Sequence, residues 1–394
     1  MTGSAAGTGS IAGSDSAATV DTATCGRLRR LAVPRFPAGL ATPCLYVDRD
    51  VLDRNIAAMQ ATMDARGIAL RPHVKTHKSV AIARRQLAAG AAGVTVGTLG
   101  EAEVMADAGI TDLFVAYPVW AAGPKAKRLA ALHARAQLIV GIDSAAGARG
   151  LAAAVARSAT SLRVAVEIDS GQHRTGVTFD AAAGVAVAAR DAGLEVIGVF
   201  THGGHGYASG ADRSTAASDE VRLLGEAAAR LGAAGFTVSL ISAGSSPTAV
   251  LSAVAPVNEE RPGTYVFWDR QMVGLGAGEP DAVALVVLST VVSAAVPGQV
   301  VLDAGAKTLT KDRPAWLDGF GALPAYPSAT VSRVYDYHAV VWIPPGTPAP
   351  ALGEVVAVVP NHVCPVVNQF DELVVGRAGV ALERWPVDAR GRSD

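Results

Sequence analysis

The chain has 394 residues, of which 50% are apolar, 18% charged and 5% aromatic. That is enough chain for one large domain or two ordinary ones, and the apolar share excludes a mainly disordered protein. With 34 Lys and Arg against 35 Asp and Glu, no charge excess points to nucleic acid or an anionic membrane as a partner.

Residues 1–24 are mostly Gly, Ala, Ser and Thr, with no Lys or Arg. They lack the basic start and apolar run of a secretory signal, and residues 1–27 are expected to form a disordered tail. Residues 28–44 read as a segment packing on a C-terminal domain. Cys25, Cys44 and Cys364 are too scattered for a disulfide framework, so a cytoplasmic location is expected. From Leu45 a regular alternation begins. The apolar runs Leu45–Val47, Ile68–Leu70, Gly93–Val96, Leu113–Ala116, Gln137–Ile142, Leu162–Ile168, Val196–Phe200 and Val238–Ile241 have strand composition. Between them, Val80–Ala89, Glu101–Ala108, Lys125–Ala136 and Glu220–Ala233 have helix composition. Strands separated by helices pair in parallel, so residues 45–275 predict a (β/α)8 TIM-type barrel. A doubly wound sheet is disfavoured because no Gly-rich dinucleotide turn follows the first strand.

The uncharged stretch from Ala282 to Leu302 is long enough for a spanning helix. Its Val, Ser, Thr, Pro and Gly content reads better as two buried strands, Ala282–Ala295 and Gln299–Leu302, turning at Pro297-Gly298. With Val300–Asp303, Val340–Ile343, Glu354–Val359 and Glu372–Val375, residues 276–394 predict an all-β domain.

Barrel active sites lie at the C-terminal ends of the strands, which selects the polar residues after each apolar run. Arg71-Pro72-His73-Val74-Lys75-Thr76-His77-Lys78 is a solvated basic turn on the plainest reading. Delivered into a barrel mouth, a lysine among other cations has a depressed pKa and a usable amine. Arg174, in Asp169–Gly176, is a permanent donor or the ion-pair partner of Asp169 or Glu167. Ser242–Thr248 is either an ordinary turn or a small-residue cradle for phosphate. His362 and Cys364 would share one face of a strand and suit zinc; a satisfied His beside a buried Cys is the alternative.

Together these segments resemble the fold-type III pyridoxal-phosphate enzymes, the alanine-racemase-like barrels, and within them the D-serine dehydratase and D-threonine aldolase group. The resemblance runs from about Leu45 to Arg390. Its most specific pieces are RPHVKTHK (71–78), SAGSSPT (242–248), RPGTYVFWD (261–269), DAGAKTLTKD (303–312) and PNHVCPVVN (360–368). It implies that Lys75 forms the Schiff base with pyridoxal 5'-phosphate, with His73 beside it. Gly244, Ser245, Ser246 and Thr248 match the phosphate loop and Tyr265 a phosphate-side tyrosine. Arg174 matches the arginine facing the pyridine ring, and His202 and Tyr207, in THGGHGY, match cofactor-lining positions. His362 and Cys364 match the ligands of a divalent metal, zinc first, with manganese or magnesium as harder alternatives. A homodimer with shared active sites is also implied. One departure stands out: relatives carry an acidic residue directly before a β-domain histidine, whereas here Tyr335-Asp336-Tyr337-His338 puts a tyrosine there.

The expected substrate is therefore a D-3-hydroxy amino acid. The expected reaction is D-serine dehydratase-like β-elimination to a 2-oxo acid and ammonia, with Lys75 as base and a Lewis acid on the β-oxygen. The alternative is D-threonine aldolase-like cleavage to glycine and an aldehyde. Within the resemblance dehydratases carry HxC and aldolases HxD, so Cys364 favours elimination. A non-catalytic cofactor carrier is disfavoured by the β domain. A racemase would need a second base such as Tyr335 or Tyr337. Those two rings and Trp120 are expected either as an aromatic wall of the substrate pocket or in a dimer interface.

Overall fold

The computed structural model describes residues 22–208 and 212–394. The tail expected over residues 1–27 lies outside them except at its end, where α1 (Thr22–Leu28) is a helix docked on the body. Thr24 Oγ1 donates to the Gly274 carbonyl at 3.0 Å and Arg27 donates to the Val273 and Gly274 carbonyls. The next segment packs Leu31, Phe36 and Leu40 into the same core as Val286, Leu288 and Val374.

The first apolar run does form a strand, β1 (Cys44–Asp48), but it joins the C-terminal sheet rather than the barrel. Asp48 caps α2 (Arg49–Asp64) by accepting from the N–H groups of Asp50 and Val51. The barrel proper holds β2 (Ala69–Leu70), β3 (Val94–Val96), β4 (Asp112–Pro118), β5 (Gln137–Ile142), β6 (Arg163–Glu167), β7 (Glu195–Phe200), β8 (Leu240–Ala243) and β9 (Glu259–Glu260). These are parallel, in the order β2-β9-β8-β7-β6-β5-β4-β3, and a parallel bridge between His73 and Thr95 closes the ring. The eighth strand is thus β9, two buried glutamates that no apolar pattern announces. The outer helices include α3 (Val80–Ala88), α4 (Leu99–Asp107), α5 (Pro124–His133), α6 (Ala145–Val155), α7 (Ala182–Asp191) and α8 (Asp212–Ala233). Their apolar faces and the outward side chains of the strands form one continuous core.

The C-terminal domain consists of β10 (Leu285–Ser293), β11 (Gln299–Leu302), β12 (Thr330–Val334), β13 (Ala339–Trp342), β14 (Val355–Val358), β15 (Glu372–Arg377) and β16 (Val380–Pro386). The sheet order is β12-β13-β11-β10-β1-β15-β16, with β14 also on β10. In β1, Tyr46 lies opposite Val286 of antiparallel β10 and Val374 of parallel β15. Such long-range pairing overrides the local strand–helix order. The uncharged stretch is β10 and β11, and among the described residues no helix is long and apolar enough to cross a membrane.

Candidate active site

The loops after the barrel strands enclose a cavity of about 430 Å³, closed on one side by the C-terminal domain. Its wall contains His73, Lys75, Arg174, His202, Tyr207, Ser245, Ser246, His362 and Cys364, nine of the residues singled out in the sequence. Lys75 sits in a short 3-10 turn, Val74–Thr76, after β2. The turn is fixed by backbone bonds from His77 and Lys78 to the Val74 carbonyl. The other cations of this segment point elsewhere. Arg71 pairs with Glu259 at 2.7 Å and Asp112 at 2.6 Å, and Lys78 with Glu101 at 2.8 Å.

Burial is the main reason the Lys75 ammonium lies below its ordinary value. Arg174 and Arg261 add to that, against the opposing pull of Cys364 and Glu101. A lysine so placed releases its proton readily and keeps a nucleophilic amine. Burial and the Lys75 charge hold His73 and His202 far below the ordinary histidine value, so both line the cavity as neutral rings. His202 lies 6.1 Å from Tyr207, ring centre to ring centre. Arg174 stays clear of Asp169, whose carboxylate instead accepts from Gly171 N–H, His173 N–H and His173 Nδ1.

In the turn after β8, Ser246 Oγ accepts from the N–H groups of Gly263, at 3.1 Å, and Thr264, at 2.8 Å. Its own O–H therefore remains free to donate. Gly244 and Thr248 support this turn from behind; Thr248 Oγ1 bonds Ser245 Oγ at 2.8 Å. A side chain at Gly263 would sit 2.7 Å from Thr76 Oγ1, so only glycine lets this edge approach the Lys75 turn. Tyr265 is not on the cavity wall: the ring is fully buried and its hydroxyl accepts from Gln86 Nε2 at 3.0 Å. Tyr335, Tyr337 and Trp120 do not reach the cavity either, and they are 56%, 62% and 68% exposed. Lys307 donates to Tyr337 Oη at 3.0 Å.

His362 and Cys364 come together by a route other than a strand. His362 is extended and caps a short helix, Val363–Val367, whose first turn carries Cys364. Three contacts fix this piece: Asp312 Oδ2 to His362 Nδ1 at 2.6 Å, Val363 N–H to Asp269 Oδ2 at 2.9 Å, and Thr76 Oγ1 to Cys364 Sγ at 3.2 Å. Burial opposes charge on the thiol, but the adjacent His362 wins and holds Cys364 below its ordinary value of 9.0. Asp312, Asp269, Arg261, Gln172 and Thr76 were not singled out from sequence. All but Gln172 fall within the quoted motifs or next to Lys75, and Gln172 lies in the Arg174 loop.

Residues 47–271 match the family model "Alanine racemase, N-terminal domain", and residues 284–376 match "Putative serine dehydratase domain". This chain belongs to the fold-type III pyridoxal-phosphate enzymes of the D-serine dehydratase and D-threonine aldolase group. Within that family it is 35% identical to D-threonine aldolase of Arthrobacter sp over 90% of this chain and 94% of that one. It is also 35% identical to D-threo-3-hydroxyaspartate dehydratase of Delftia sp., over 88% and 97%. The crystal structure of D-threonine aldolase from Filomicrobium marinum superposes with a TM-score of 0.83 at 32% identity, covering 92% of this chain and 100% of that one. A cysteine-to-alanine variant of D-threo-3-hydroxyaspartate dehydratase, in a metal-free form, superposes with a TM-score of 0.81 at 33% identity, covering 88% and 97%.

The cavity fits the family's cofactor. It offers a primary amine with a weakened hold on its proton, a small-residue turn with a free hydroxyl, and room between them. The His362–Cys364 pair fits a metal with open positions: Asp312 occupies Nδ1, leaving Nε2, beside a thiol of thiolate character. Among the described residues no cluster of three or more His, Cys, Asp or Glu is placed to hold an ion, so substrate or water would complete its shell.

Proposed function

We propose that this enzyme is a lyase that eliminates water from a D-3-hydroxy amino acid, the released enamine then hydrolysing to a 2-oxo acid and ammonia. The observation that carries the reading is the convergence of Lys75 with the His362–Cys364 pair on one cavity, joined through Thr76. Pyridoxal phosphate bound at Lys75 would supply an electron sink, and a divalent ion at His362 and Cys364 a Lewis acid. Lys75, its ammonium destabilised by burial and by Arg174, accepts the Cα proton. The neutral His73 and His202 add no charge that would hold that proton off. The Gly244–Thr248 turn and Ser246 hydroxyl would hold the phosphate end of the cofactor, in the cavity that His362 also lines. Thiolate and imidazole donors favour zinc; manganese suits a harder set. The metal-free form of the relative's cysteine variant supports Cys364 as a ligand. The protein is proposed to act in the cytoplasm, where its three free cysteines stay reduced. It is proposed to be a homodimer, which would cover the exposed Tyr335 and Tyr337.

Cleavage to glycine and an aldehyde is the second reading, supported by the likeness to two D-threonine aldolases. Incubation with D-serine, D-threonine and D-threo-3-hydroxyaspartate, with zinc or manganese, decides between them. Ammonia with a 2-oxo acid supports elimination. Glycine with an aldehyde replaces it with retro-aldol cleavage, and turnover of none of these overturns both.

A further inference from the structure

Behind the Gly244–Thr248 turn, Glu220 of α8 and Glu260 of β9 are fully buried, and neither lines the cavity. Glu220 Oε1 accepts from Gly203 N–H at 2.8 Å and Gly244 N–H at 3.1 Å. One oxygen thus holds the starts of both loops that carry His202, Tyr207, Ser245 and Ser246 to the cavity. Glu260 approaches from the other side. Its Oε1 accepts from Ser252 Oγ at 2.8 Å, and its Oε2 fills the place a side chain at Gly244 would need. The remaining oxygens, Glu220 Oε2 and Glu260 Oε2, are shut off from solvent and make no well-formed hydrogen bond; the Thr248 hydroxyl, which also faces Glu220, bonds Ser245 instead. One such anionic oxygen is costly, and two on adjacent carboxyls are more so.

The charges around the pair do not resolve this. Arg261 faces both glutamates as well as Glu167 and Glu259. Its guanidinium, however, donates to Ser242 Oγ and the Thr201 carbonyl and stacks on Phe114 and Phe200. Arg71 is committed to Glu259 and Asp112, and His202 is neutral.

We propose that Glu220 and Glu260 share one proton between their Oε2 atoms, and that this acid–carboxylate pair fastens the two cofactor-facing loops to α8. A single proton gives each orphan oxygen a partner and removes the second charge. Burial, reinforced at Glu260 by the neighbouring Glu220, raises both groups, the direction that holding a proton requires. Losing it in alkali leaves two adjacent anions that push the loop anchors apart. Both residues act through the loops as positioning residues. The inference rests on the reading that these loops hold the cofactor phosphate.

The test uses the holoenzyme. Infrared difference spectra of wild type against Glu260→Gln and Glu220→Gln should each show loss of a protonated-carboxyl band. Cofactor retention, read from protein-bound visible absorption, should fall in the wild type between neutral and alkaline pH. It should persist in Glu260→Gln, whose amide is a permanent donor, with affinity about tenfold above wild type at the alkaline end. An unchanged carboxyl band in both variants overturns the shared proton, even where one variant folds poorly. The same alkaline loss in Glu260→Gln and wild type overturns the anchoring role. If the wild type binds pyridoxal, which lacks the phosphate, as tightly as pyridoxal phosphate, the phosphate reading fails by itself; the infrared result still decides the proton.

Discussion

Acidification should destabilise the fold through His77, and the size of the effect follows from its surroundings. The side chain is fully buried. Nδ1 accepts from Ser79 N–H at 3.1 Å, which leaves Nε2 to carry the proton and donate to Gln86 Oε1 at 3.2 Å. Gln86 in turn donates to Tyr265. A doubly protonated ring offers Ser79 no acceptor. Burial pushes His77 from 6.5 down to about 4, against the weaker opposing pull of Gln86 and Ser79. Because the folded value lies below the unfolded one, the unfolded chain takes the proton first. The His77 contribution is whole above pH 6.5 and lost as pH falls toward 4. About 2.5 pH units at ~1.4 kcal/mol each gives about 3.5 kcal/mol. His77→Asn keeps an acceptor for Ser79 but cannot titrate. Urea unfolding of both proteins across this range should show the stability gap between them narrowing by about 3.5 kcal/mol, since the other titratable groups behave alike in each. Parallel curves would refute the reasoning.

Lys75→Ala should lose the protein-bound visible absorption and all turnover. Lys78 should not substitute for it, since its ammonium is held by Glu101 and the Ala389 carbonyl; absorption retained in Lys75→Ala would show that the attachment site is wrong. Asp312→Asn should weaken zinc binding about 10- to 100-fold by calorimetry, with partial recovery in Asp312→Glu, and an unchanged affinity would remove Asp312 from the site. Chelation should abolish elimination while leaving the cofactor bound, and full activity after chelation would sink the Lewis-acid role. Cys364→Asp should shift metal preference from zinc toward manganese and raise aldol cleavage relative to elimination, read as the ratio of glycine to ammonia.

The site was legible where a motif fixes backbone shape and side-chain chemistry together, as in the Lys75 turn and the Ser245–Ser246 turn. It was less legible where partners meet through tertiary contacts. Asp312 lies in a quoted motif, yet nothing local says that its carboxylate faces His362 50 residues later. The His362–Cys364 spacing suggested a strand because a two-residue repeat is the strand period; the capped helix reaches the same proximity by a different turn of the chain. Tyr265 was placed beside the phosphate by the resemblance alone, but Gln86 draws its hydroxyl into the core. In the fold, β9 is hidden because both its side chains are charged, with Glu259 answered by Arg71 and Ser242. The run at Leu45 was misplaced because apolar composition reports burial, not which sheet provides it.

That misplaced strand has a consequence for how the chain is made. β1 emerges near the start of synthesis, but its two neighbours, β10 and β15, are encoded after Ala284 and Asp371. Until then Leu45, Tyr46 and Val47, all fully buried in the finished fold, have no sheet to join, while the barrel strands already have theirs. The nascent protein therefore carries an unpaired apolar edge through most of translation, a form prone to wrong pairing. A fragment of residues 45–275 would keep that edge permanently, since both partners of β1 lie beyond it. The C-terminal domain thus completes the sheet that β1 begins, as well as walling the active site.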